Sequence, residues 1–135
     1  MTPAEAFAAI ALAAVACDGV VDPQEANLLR IQLDHRHPYK DLSQEDKGRL
    51  FERLLHQLQA EGWRALVSRA VPALSPVQQD TALAMAAHLV QGDRSLCPEE
   101  LGLLREMAAL MDLPAGRADQ IIEVIAVLHR DCLAP

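Results

Sequence analysis

Acidic side chains gather around two short turns of this 135-residue chain. The first reads Cys17-Asp18-Gly19-Val20-Val21-Asp22-Pro23-Gln24-Glu25, the second Asp93-Arg94-Ser95-Leu96-Cys97-Pro98-Glu99-Glu100. Four or five of these carboxylates, brought together, repel one another, and a hard cation relieves the repulsion. Ca2+ or Mg2+ takes carboxylate and carbonyl oxygens, and the backbone of an Asp-Gly turn offers the latter. The spacing is not that of an EF-hand, because counting from Asp18 puts Val20 at position 3, Pro23 at position 6 and Leu29 at position 12. The same acids have a second use. Asp22 and Glu25 stand at N-cap and N3 of a helix, Glu100 at the equivalent N3, and Asp18 suits a turn. Capping alone and a cation site both remain open on this pattern.

Other residue types offer less. Asp34-His35-Arg36-His37 has an H-x-H spacing, and imidazoles suit Zn2+ or Cu2+. No further His or Cys stands nearby in sequence to complete a tetrahedral set. Cys97 precedes a helix N-terminus, which lowers a thiol pKa, so a redox role competes there with an inert cap. His88 lies in an apolar helix and is expected to be half-buried and hydrogen-bonded, whereas His56 and His129 are expected on solvated faces. Met85, Met107 and Met111 read as core. There is no G-x-S-x-G, no H-E-x-x-H and no glycine-rich phosphate loop, and Ser43, Ser68, Ser75 and Ser95 read as caps, turns or faces. No catalysis is expected.

The elements that position these groups are helices. Ala (23) and Leu (21) dominate, and aromatic residues make up 3% of the chain, which disfavours strands. Thr2-Pro3-Ala4-Glu5, Asp22-Pro23-Gln24-Glu25 and Ser75-Pro76-Val77-Gln78 each read as a capping box, and Cys97-Pro98-Glu99-Glu100 as a weaker one. Ser43 opens a further helix, and Gly62 and Gly92 stand where helices stop. The apolar spacing predicts seven helices near 3–17, 23–33, 44–60, 63–71, 76–91, 98–112 and 115–130, with an irregular stretch at 34–42. An all-α bundle forming a single domain over 1–135 follows. Within it the sequence repeats at an offset of 75 residues. Asp18 pairs with Asp93, Val21 with Leu96, Pro23 with Pro98, Glu25 with Glu100, and Leu28-Leu29-Arg30 with Leu103-Leu104-Arg105. Two helical hairpins of one design imply a pseudo-symmetric core that brings the acidic turns near each other.

The net charge of −7 argues against a nucleic-acid partner. Residues 30–69 are mildly basic, with eight bases to six acids. The longest apolar run, Ala6–Cys17, is twelve residues and too short to span a membrane, for which about 20 are needed. It ends in Ala14-Val15-Ala16-Cys17, like a cleavage site, but no Lys or Arg precedes it as a signal peptide requires. Three cysteines without a C-x-x-C suit reduced thiols, and a cytoplasmic location is expected.

An Ala-rich helix ending in Asp-Gly, a short turn and a helix carrying Glu seven residues after the Asp, all present twice, resembles the tellurite-resistance TerB-like family from about residue 4 to 130. The resemblance implies a bundle of roughly seven helices associated with stress and tellurite resistance, with divalent cations held at the acidic turns. It carries the family's acids onto Asp18 and Glu25, and onto Asp93 and Glu100, with Asp22 as an accessory. This chain departs from it in placing Arg94 beside Asp93, an internal counter-charge, and Cys97 where the first copy has Asp22. The alternative is a co-chaperone-like adaptor in which the acids are helix caps. Its partners would be other proteins, met through His35, Arg36, His37 and Lys40.

Overall fold

Short polar side chains start the helices where the sequence places them. Thr2 Oγ1 accepts from the Glu5 N–H while the Glu5 carboxylate reaches back to Thr2, and Ser75 and Gln78 repeat the exchange. Ser43 accepts from the Asp46 N–H at 3.0 Å. The other two expected boxes do not form in that way. Asp22 caps through the second residue, accepting from the Gln24 N–H at 2.7 Å. Cys97 makes no side-chain cap bond, sulfur being a weak acceptor.

The structure, a computed structural model, describes residues 1–91 and 96–135. Among the described residues the chain is all-helical: α1 (Pro3–Val15), α2 (Pro23–Asp34), α3 (Gln44–Glu61), α4 (Trp63–Ala70), α5 (Pro76–Val90), α6 (Pro98–Ala109) and α7 (Arg117–Leu128). Two 3-10 turns join them, Tyr39–Asp41 and Val71–Ala73. The first falls in the stretch expected to be irregular. Tyr39 organises it: its ring is 2% exposed, and its hydroxyl donates to the Ala4 carbonyl of α1. At the other end of the chain, Gly116 adopts a left-handed conformation (φ +82°) and delays the start of α7 to Arg117. Gly62, also at positive φ, both ends α3 and begins α4, while Gly92 lies outside the described residues.

A helix apolar on every side belongs in the interior. In α1, Ala6 and the run Ala8–Val15 are all buried, and the helix packs against α5, α4, α3 and α2. Its small side chains let neighbouring backbones approach closely. The two Ala-rich helices of the repeat, α1 and α5, thus lie directly against each other. Ile10, Leu33, Leu54, Leu66, Leu83, Leu104 and Met107 are fully buried and tie six helices into one hydrophobic cluster, to which α7 adds Ile122. Met85 and Met111 are buried with them.

One polar side chain works inside this core. Gln79, 3% exposed, donates to the Leu74 carbonyl at 3.0 Å and accepts from the Asp112 N–H at 2.7 Å. It fastens the exit from α6 to the turn before α5. No described helix is long and apolar enough to cross a membrane.

Candidate functional site at the acidic turns

The link between α1 and α2 is a tight turn closed by its own side chains. Asp18 Oδ1 accepts from the Val20 N–H at 3.0 Å, and Gly19 takes φ +83°. Gln59 of α3 donates to the Gly19 carbonyl at 3.0 Å, anchoring the turn on the bundle. One lone pair of that carbonyl is therefore already engaged. This turn lies against the start of α6, and the two enclose a cleft of about 600 Å3. Asp18, Asp22 and Glu25 line it from one side and Glu99 and Glu100 from the other, over an apolar floor of Val15, Leu89 and Leu103. The acids of the two copies that are described thus share one cleft. Asp93 lies outside the described residues.

The electrostatics record that proximity. Glu25 is raised above the ordinary carboxylate range by partial desolvation first, then by the charges of Asp22, Asp18 and Glu100. The Asp22 N–H opposes them and is outweighed. Glu100 is half-buried, and its Oε2 has no hydrogen-bond partner among the described residues. Among these residues, no three His, Cys, Asp or Glu side chains stand close enough together to hold a metal ion.

Neither Cys17, which lines the cleft, nor Cys97, just before α6, is activated. At Cys97 the Glu100 N–H favours the thiolate, but desolvation, hydrogen bonds with the Glu100 and Glu99 carboxylates and the charge of Glu100 push the thiol up. Partial burial and Asp18 raise Cys17. The helix N-terminus at α6 is real, but its own first-turn acids cancel its effect on sulfur.

The loop residues His35, Arg36, His37 and Lys40 are all exposed. His37 pairs with Asp41 at 3.4 Å, whereas Arg36 and Lys40 have no ion pair among the described residues. Arg36 and His37 edge a cleft of about 390 Å3 whose walls include Phe7, Tyr39 and Leu74. A more apolar cleft between α2 and α3, about 570 Å3, has Leu12, Leu29 and Phe51 in its walls beside the Lys47–Asp34 pair. None of the cation-site or partner-binding candidates read from the sequence lines it.

One expectation is overturned: His129 is not a solvated surface residue. It is half-buried against His88, which is itself hydrogen-bonded and half-buried as the sequence suggests. The 41-residue separation of the two left no local signal for the pairing. Gln79 was equally invisible, a lone amide in a helical pattern.

No curated protein matches the chain, and no solved structure does either. A family model described as "Tellurite resistance protein TerB" matches residues 4–123, and the chain belongs to that family.

Proposed function

We propose that the protein is a non-catalytic binding domain of a stress or metal-resistance response, and that its acidic cleft takes a hard divalent cation, Ca2+ or Mg2+. One observation carries this: acids from both copies of the turn line one cleft, where Glu25 is held above its ordinary range by partial desolvation first and then by the charges of Asp22, Asp18 and Glu100, a repulsion that a cation would discharge. Glu25 and Glu100 would be the principal oxygen donors from the described residues, with Asp18 and Asp22 beside them. The partnerless Glu100 Oε2 suits such a ligand. Because no three carboxylates stand together, water would complete the coordination, as it commonly does for Mg2+ held by one or two carboxylates. Asp93 is the remaining acid of the set.

Calorimetric titration of the metal-stripped protein with Ca2+ and with Mg2+, beside Asp18→Ala and Glu25→Gln, tests this. Binding in the micromolar range that is lost in Glu25→Gln is the expected result. Absence of heat, with equal stability in EDTA and Ca2+, would reduce the acids to turn and cap residues.

A second reading rests on Arg36, at the edge of an apolar cleft, and on Lys40 in the same loop, two exposed cations without ion pairs among the described residues. An acidic, partly apolar protein segment would complement them. Pull-down with charge-reversed Arg36→Glu and Lys40→Glu, against Asp18→Ala, separates this adaptor role from the cation site. The three free thiols suit the cytoplasm, where we place both roles.

A further inference from the structure

His88 on α5 and His129, directly after α7, bring Nδ1 and Nε2 to 2.8 Å, with ring centroids 4.8 Å apart and planes tilted by 55°. The contact joins two elements far apart in sequence, and the acidic cleft does not use it. It is more than a packing contact, because imidazole nitrogen is the donor that first-row transition metals prefer. Two nitrogens at about 2.0–2.1 Å from one metal stand about 2.9 Å apart when they occupy cis positions of a square-planar or octahedral ion. In a tetrahedral site they stand about 3.3 Å apart. The spacing in this protein fits the first arrangement.

We propose that His88 and His129 form a two-histidine clamp for a transition-metal ion, Cu2+ or Ni2+ ahead of Zn2+, that fastens the end of α7 to α5. In the metal-free pair, one ring donates its N–H to the lone pair of the other. On binding, that proton moves through solvent to the second nitrogen of the same ring and both rings tilt, so that the two lone pairs converge on the metal. No net proton is released from a neutral pair, and water fills the remaining positions.

The surroundings decide the class of ion. The groups that act electrostatically on His88 are His129, from the end of α7, and Arg36, from beyond α2. Two neutral imidazole nitrogens offer hard Ca2+ and Mg2+ little, whereas they bind a softer ion. His88 is kept neutral to lower pH than a free histidine, by burial first and then by His129 and Arg36. His129 also lies beyond the segment that matches the family, residues 4–123.

The test is titration of the whole chain with Ni2+ at neutral pH, followed by NMR of the imidazole resonances and by thermal unfolding. Paramagnetic broadening centred on His88 and His129, with a rise in Tm, is expected in the natural protein and in Glu25→Gln. Both effects should disappear in His129→Gln, whose amide can still hydrogen-bond His88 and preserve the α5–α7 contact. Broadening centred on His35 and His37 or on the cysteines, or undiminished binding in His129→Gln, would overturn the proposal. The Glu25→Gln arm keeps failure here distinct from failure of the acidic cleft.

Discussion

Replacing Glu25 by Gln removes a charge and keeps the cap, because Gln serves at N3 as Glu does. Two opposed effects follow. The positive end of α2 favours a carboxylate by roughly 0.3–1 kcal/mol, which the substitution loses. Three carboxylates, Asp22, Asp18 and Glu100, disfavour it, and the substitution removes all three repulsions. Glu25 is exposed, so screening holds each pair to a few tenths of a kcal/mol. Partial desolvation of the carboxylate, the largest cause of its raised pKa, adds to the unfavourable side, and a neutral Gln avoids it as well. Glu25→Gln should therefore stabilise the cation-free protein by about 0.5 kcal/mol, roughly 2 °C in Tm for a chain of this size. The assay is paired thermal and urea unfolding in EDTA, at low salt and again at high salt, where the gain should shrink. The pH dependence has a definite sign. Between the ordinary value of 4.5 and the raised one, the folded chain binds more protons than the unfolded chain. The natural protein therefore loses stability as pH rises through that window, and Glu25→Gln does not. In Ca2+ the order reverses, since only the natural protein gains. A variant less stable than the natural protein in EDTA at low salt would refute the reasoning and make Glu25 a favourable cap charge.

Three further outcomes are expected. Gln79→Ala leaves the Asp112 N–H and the Leu74 carbonyl without their partner, at a cost of about 2 kcal/mol in urea unfolding, and a neutral result would remove the buried amide as a fastening. His88 is depressed below 6.5 by burial, His129 and Arg36, so its contribution to stability is complete above that value and declines as pH falls below it. His88→Gln should flatten this limb of the pH–stability profile, and an unchanged slope would assign it to other groups. Cys97 should alkylate no faster than free cysteine, and a rate well above that would restore the redox role.

Local signals predicted the helices and failed at distant pairs, for physical reasons. Capping chemistry and Pro at the first turn act within four residues, so α2, α3, α5 and α6 begin where Asp22, Ser43, Ser75 and Cys97 place them. The interior position of α1 was equally legible, because an all-apolar helix admits only burial. Helix ends were less so: Pro72 converts the end of α4 into a 3-10 turn, and Gly116 delays α7 by adopting positive φ. Tyr39 reads as a loop aromatic until α1 is seen to offer the Ala4 carbonyl. At the acidic turns, residue identity gave the charges, but only the fold set their spacing, and with it whether capping or repulsion governs Glu25. The first-turn acids that raise Cys97 follow the same logic. A helix N-terminus activates a thiol only when nearby carboxylates do not already occupy its field.

The last turn of α5 connects the two proposed sites. Leu89 and Val90 line the acidic cleft, while His88, one residue earlier and about 100° around the helix, faces His129. A helix C-terminus carries partial negative charge, so the same turn favours cations toward either side. The side chains around it then separate the ions by chemistry. Carboxylates with water suit hard, oxygen-seeking Ca2+ or Mg2+, and two imidazoles beside Arg36 suit only an ion that binds neutral nitrogen. One helix end can thus present two cation sites that do not compete, because charge draws the ion to the first and donor softness selects it at the second.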